Sequence, residues 1–492
     1  MGQLRFVTPQ RDRLPPGAVE QAYLTGMEGV PFPSHNFWDG DQIVLERDVR
    51  ESGNFHILWN VPQRGPLLLS TASLMERSRA YLLPVELARG TLNRVRNQNA
   101  SWQTMGLTAS AKFQQEQHAA LDLLAQAATH QGNPTQAAAF AEQSLAKSLE
   151  ALDTLCGAYT SQVLGMRHEQ SPQLATLSAC GLPAQQLSDA GAKLFQSAFN
   201  AACVPLVWRD IEPVEGDFRW TNVDKHFQWL KQRGLKVLAG PLLRLDTLSL
   251  PDWLYLWDDD FEVVQGYVHN FLTKTVERYR GQVQVWHCAA GLNLPGGLAL
   301  SEEQKLRLAV LAIDTVRRTD SRTPIIISFD QPWGEYLQRE ELDLPPYHFA
   351  DALVRADLGV SGVGVELNIG YSPGGTLPRD VLELSRLIDR WSTLGVPLVA
   401  LLSSPSSAID DAQARSKAAV ITPGVTANSQ AAWLKPWLEM LVAKQCIHGL
   451  VWNQLFDSES HVWPNSGLLV DAAGQTKPLF SVFSDLKKQH LV

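Results

Sequence analysis

The run Gly362-Val363-Gly364-Val365-Glu366-Leu367-Asn368-Ile369 is short, mostly apolar and rich in β-branched residues. A strand places alternate residues on opposite faces, so Glu366 and Asn368 share one face and Val365 and Leu367 the other. Comparable apolar runs lie near residues 174–181, 201–207, 235–243, 283–290, 324–329, 396–403 and 447–456. Amphipathic stretches of helix length, such as 222–232, 301–318, 379–392 and 430–444, separate most of them. Eight strands alternating with helices over about 310 residues is the pattern of a (β/α)₈ barrel. A doubly wound open sheet also alternates, but no glycine-rich phosphate loop follows the first run. The predicted fold over 173–492 is therefore α/β, a (β/α)₈ barrel.

Two other zones precede it. Residues 1–100 carry short strand-like runs at Leu4–Val7, Gln42–Leu45, Phe55–Trp59 and Leu67–Thr71, broken by Pro15-Pro16-Gly17, Asp39-Gly40-Asp41 and Gly65-Pro66. Such a pattern predicts a small β-sandwich-like domain. Residues 101–172 change period: Leu145, Leu149, Leu152, Cys156, Tyr159 and Val163 step by four and three, making one apolar stripe on a long helix. Asn133-Pro134 divides it from an earlier helix at about 108–130, which together predict a helical hairpin.

Composition narrows the function. The 492 residues hold 42 Lys+Arg and 51 Asp+Glu, a net charge of −9, with 45% hydrophobic and 19% charged residues. That is a globular composition, and mild acidity argues against nucleic-acid binding, which needs a basic face. No apolar run is long enough to span a membrane. The first ten residues lack the apolar core of a secretory signal, and the five cysteines show neither metal-ligand nor disulfide spacing, so the expected location is the cytoplasm. No cofactor motif and no metal site is expected. Tryptophan is abundant, 15 residues against 9 Tyr, which suits either sugar stacking or core packing.

Several motifs resemble glycoside hydrolase family 10, the endo-xylanases. Phe199-Asn200 with Trp208, Glu212-Pro213, Gly216 and Phe218 resembles the second-strand block of that family. Leu250-Pro251-Asp252-Trp253 is similar to its third-strand loop, Val285-Trp286 to the start of its fourth strand, and Gly362–Asn368 to its sixth. Gly395-Val396-Pro397-Leu398 is similar to its seventh, and Trp452–Asp457 with Trp463, Leu468-Leu469, Asp471 and Lys477-Pro478 to its closing block. The resemblance covers 173–490 in order and implies a barrel that handles a poly- or oligosaccharide. It also implies that the catalytic pair of that family is replaced. The acid/base Glu position reads Gly291, after Ala290, and the nucleophile position reads Leu402. The sugar-gripping residues become Cys203, Val204, Val207 and Pro241.

Barrel chemistry sits at the C-terminal strand ends. The polar and aromatic residues expected there are Trp208, Arg244, Asp246, Asn293, Trp333, Asn368, Tyr371, Trp452, Asn453, Asp457 and Trp463, as substrate contacts, with Glu366 and Asp330 as candidate catalytic carboxylates. Each has a plain structural alternative: Glu366 paired internally with Arg244, Asp330 accepting from loop backbone, the tryptophans covering the barrel, and His287 as a core histidine. Three readings follow. One is a carbohydrate-binding pseudo-enzyme. Another is an active glycosidase with relocated carboxylates, Glu366 with Asp330 or Asp457. The last is a structural or interaction protein whose barrel mouth is filled by apolar side chains such as Leu402, Val204 and Leu245.

Overall fold

The computed structural model describes residues 2–48, 50–340, 342–471 and 474–492. The N-terminal strands are β1 (Gly2–Val7), β2 (Tyr23–Thr25), β3 (Pro31–Phe32), β4 (His35–Asp39), β5 (Gln42–Arg47), β6 (Gly53–Val61), β7 (Gly65–Leu74) and β8 (Tyr81–Leu82). They form two four-stranded sheets, ordered β4-β5-β1-β8 and β3-β2-β6-β7. Phe6 of one sheet stacks on Phe55 of the other at 4.3 Å. Alternating burial along β1 leaves one face for this contact and one for solvent.

From residue 83 the chain is helical: α1 (Leu83–Thr104), α2 (Ala111–Thr129) and α3 (Pro134–Gln170). The strand-rich zone was expected to run to residue 100, but Pro84 opens a helix whose buried positions Ala88, Leu92 and Val95 keep a helical period. The hairpin is thus a three-helix unit. On α3, Leu145, Leu149, Leu152 and Cys156 are buried, and Tyr159 stacks on Trp102 of α1 at 4.0 Å.

The barrel follows. Its strands are β9 (Leu177–Gly181), β10 (Ala201–Val204), β11 (Lys236–Ala239) with a short continuation β12 (Leu243–Arg244), β13 (Val285–Ala290), β14 (Ile325–Asp330), β15 (Gly362–Asn368), β17 (Leu398–Ser403) and β19 (Ile447–Trp452). Two small strands, β16 (Tyr371–Ser372) and β18 (Ala419–Val420), pair outside it. Every neighbouring pair is parallel, β19 returns to β9, and β11 pairs β13, so the eight-stranded ring is closed. All eight strand runs read from sequence are strands of this ring.

The lumen is packed rather than hollow. Ala179, Ala201, Leu238, Ile326, Val399, Leu401 and Val451 form one buried apolar cluster contributed by alternate residues of the ring. A Cβ at Gly364 would lie 2.6 Å from Ser328 Cβ, so glycine is what lets β15 face inward beside β14.

Candidate functional site

Above that apolar plug the inward residues become polar. Ile326, Ser328 and Asp330 alternate inward on β14, and Gly364, Glu366 and Asn368 on β15, with Asp330 directly opposite Glu366 in the strand register. Arg244, from β12, reaches across. Its Nη1 donates to Glu366 Oε2 at 3.0 Å and Oε1 at 3.3 Å, its Nη2 to Asp330 Oδ2 at 3.4 Å, and its Nε to Asp246 Oδ2 at 2.6 Å. Ser328 Oγ donates to Glu366 Oε1 at 2.6 Å and lies 2.7 Å from His287 Nε2. Because the serine proton is directed to the carboxylate, His287 is assigned the Nε2–H tautomer.

Asp330 is held from all sides. Asn368 Nδ2 donates to both of its carboxylate oxygens at 3.1 Å, and the Gln331 N–H donates to Oδ1 at 2.7 Å. Asn293 brackets the same residue's backbone, donating to the Asp330 carbonyl at 2.9 Å and accepting from its N–H at 3.2 Å. Glu366 and Asp330 are 4% and 1% exposed, whereas the Arg244 side chain retains 25% and that of Asp246 39%. The carboxylates therefore sit beneath the guanidinium, and solvent meets the cation first.

Electrostatics separate the two acids. Burial, then the charge of Glu366, pushes the Asp330 carboxyl up to about 7 against the pull of Arg244. Burial also acts to raise Glu366, but Arg244, the Ser328 hydroxyl and His287 outweigh it and hold Glu366 below the usual carboxylate value. Burial lowers His287 to about 4, so the imidazole is neutral near pH 7. Among the described residues no group of three or more His, Cys, Asp or Glu is placed to hold a metal ion.

The other sequence candidates scatter. Asn453 is exposed at the end of β19 and donates to Ser403 Oγ at 2.9 Å, which keeps it at the mouth beside Asn368. Trp208 turns into the helical layer, where Nε1 donates to Glu212 at 2.8 Å and the ring stacks on Phe271. Trp452 turns outward too, donating to the Ser466 carbonyl at 2.8 Å and packing edge-on against Phe483. Both indoles cover the ring from outside, away from the polar cluster. Asp457 accepts from Gly467 N at 2.7 Å and pairs with Lys477, stapling the last loop. Tyr371 is buried, donates to the Pro464 carbonyl at 2.9 Å and stacks on the half-buried Trp463. Trp333, also half-buried, lies under the Arg379 guanidinium at 4.1 Å.

Facing also bears on the replaced positions. Leu402 opposes Trp452 in register and belongs to the outer core, while its neighbour Ser403 faces in. Val204 and Leu245 likewise belong to the outer core, so none of these three fills the mouth. Ser328 was not among the candidates, although alternation with Asp330 in Ile325-Ile326-Ile327-Ser328-Phe329-Asp330 sets it on the same face.

No protein-family model matches the chain, and no curated protein matches it. Solved structures do. Xylanase 10B from Thermotoga maritima is 14% identical with a TM-score of 0.49, covering 65% of this chain and 97% of that one. The family 10 glycoside hydrolase from Paenibacillus barcinonensis is 16% identical at a TM-score of 0.49, covering 68% and 98%. An intracellular xylanase from Thermoanaerobacterium saccharolyticum is 17% identical at 0.47, covering 64% and 96%. The chain is similar to each of these over about two thirds of its own length. Among the described residues no helix is long and apolar enough to cross a membrane.

Proposed function

We propose that this chain is a glycoside hydrolase family 10-like barrel that binds a poly- or oligosaccharide at its mouth without retaining hydrolysis. The observation that carries the reading is Arg244. A retaining glycosidase needs two carboxyl groups about 5–5.5 Å apart, free to attack and to protonate. Here both inward carboxylates are covered by one guanidinium, and Ser328 donates to Glu366 while Asn368 and the Gln331 N–H donate to Asp330. A Cβ at Gly291, the acid/base position implied by the resemblance, would stand 3.5 Å from Arg244 Nη2, so the guanidinium lies against that position. Binding is supported by what reaches solvent: Arg244, Asp246 and Asn453 offer donors and acceptors for hydroxyl groups, and Trp463 and Trp333 are partly exposed aromatic surfaces. Five free thiols suit an intracellular setting.

A second reading is favoured by the split between the acids. An ionised Glu366 beside an Asp330 that keeps its proton to about pH 7 is the inventory of a nucleophile and a general acid. Release of reducing ends from xylan and mixed-linkage β-glucan, measured for the wild type, Glu366→Gln and Asp330→Asn, separates the two. The proposal expects background release from all three, together with retarded migration of the wild type in xylan-containing gels that Asn453→Leu weakens. Hydrolysis abolished by Glu366→Gln overturns the first reading in favour of the second. Absence of retardation in every polysaccharide gel overturns the binding half.

A further inference from the structure

A polar cavity of about 350 Å³ lies apart from the Arg244 cluster, where β6, β7 and α1 meet the barrel helix Val381–Ser392. Its origin is local. Gly90 lets α1 press on β7, since a Cβ there would stand 2.0 Å from the Ser70 carbonyl oxygen. Beyond that contact, Asn93, Arg94, Asn97 and Gln98 follow Gly90 at spacings of three, four, seven and eight, which is one face of the helix. That face is polar where an amphipathic helix lying on a sheet ordinarily presents apolar residues. Asn54 of β6, next to a bulge in the β6–β7 ladder, and Ser73 of β7 close the opposite wall.

Charge on the wall is balanced. Arg94 donates to Asp380 at 2.8 Å and Glu383 at 2.7 Å, and Arg386 donates to the same Glu383 at 2.9 Å. Two guanidinium groups thus meet two carboxylates, leaving no surplus for an anion. Arg94 has a side chain more than nine-tenths buried, and its Nε has no hydrogen-bond partner among the described residues. Among the described residues no aromatic ring lines the cavity, so a flat heterocycle finds no stacking partner there. What the wall offers is four side-chain amides, each with two donors and an acceptor carbonyl, plus hydroxyl and guanidinium groups. Its volume falls within the roughly 300–1,000 Å³ usual for small-molecule sites.

We propose that this cavity is a binding site for a small, neutral, polyhydroxylated ligand, of the class of a mono- or disaccharide. It does not rest on the reading of the barrel mouth. The test is equilibrium dialysis of the full chain against labelled glucose, xylose, cellobiose and xylobiose, with inorganic phosphate as the anionic comparison. The variants are Asn93→Leu/Asn97→Leu, which removes two amides from exposed helix positions, and Ser73→Trp, which fills the cavity from an exposed strand position. The expected result is saturable binding of at least one saccharide that each variant weakens at least tenfold at unchanged melting temperature. Absence of saccharide binding, a number of saccharide sites per chain that neither variant lowers, or binding of phosphate alone overturns the proposal. A mouth that fails to bind xylan leaves this outcome untouched, because neither variant alters a residue of the mouth.

Discussion

Arg244 Nη1 lies 3.0 Å from Glu366 Oε2, although the two residues are 122 apart in sequence. The same guanidinium reaches Asp330, so one cation compensates two carboxylates that water scarcely touches. Removing either side of such an arrangement leaves charge in a medium that solvates it poorly.

Arg244→Met is expected to destabilise the protein by about 3 kcal/mol at pH 7, the lower end of what breaking a buried pair costs, because the guanidinium is partly exposed. Denaturant unfolding measures it. The loss should shrink towards pH 4 as the orphaned carboxylates take up protons, and a loss independent of pH would contradict the charge-compensation account.

Asp330→Asn tests the raised carboxyl. The folded value, about 7, lies above the ordinary carboxylate range. Between pH 4 and pH 7 the folded state therefore binds more protons at this site than the unfolded state, and stability drawn from it falls as pH rises through that window. His287, lowered to about 4, acts oppositely: its contribution is complete above pH 6.5 and is lost as pH falls towards 4. The wild-type curve mixes both effects, so the informative quantity is the wild type minus Asp330→Asn. That difference should decline from pH 4.5 to pH 7.5, and a flat difference would remove the assignment.

Gly90→Val is expected to cost at least about 1–3 kcal/mol, the range for overpacking a filled interface, because its Cβ would collide with the Ser70 carbonyl and the Thr71 backbone. A helix interior ordinarily loses about 1 kcal/mol by carrying glycine. A stabilised variant, read from the unfolding midpoint, would mean that α1 can lift from β7.

Arg379 ties the β-domain to the barrel loop after β14, pairing with Glu335 at 2.6 Å and donating to Tyr23 Oη at 2.8 Å. Arg379→Met leaves Glu335 buried and should cost about 3–5 kcal/mol, whereas Tyr23→Phe removes one hydrogen bond to a charged group and should cost about 1.5–3 kcal/mol. Comparable small losses for both in chemical denaturation would show that this ion pair does not hold the interface.

Much of the barrel is legible before any coordinates. Eight apolar runs separated by amphipathic stretches, with no glycine-rich phosphate loop after the first, point to a closed barrel rather than an open sheet, and alternation puts Glu366 and Asn368 on a shared face and Asp330 at the end of a buried strand. The pairing of Glu366 with Arg244 was among the readings those residues allowed. The tryptophans were less legible. Trp208 and Trp452 sit at strand ends that suggest a sugar platform, yet both face the helices, because an indole is as useful for covering a ring of strands as for lining its mouth. Leu402 and Ser403 show the same limit: adjacent residues face opposite ways, so a register difference of one residue exchanges what a ligand would meet.

Hydrophobic periodicity is a local property, written into each segment by the strand and helix repeats, and so the sequence by itself determined the strand count, the alternation and the faces. Which groups meet across the closed ring, how Asp330 and Glu366 divide one guanidinium, and what α1 leaves open beside β7 were decided only by the tertiary structure. Protonation and pocket shape depend on desolvation and on neighbours more than a hundred residues away, and those are set by ring closure and domain docking rather than by any one stretch of chain.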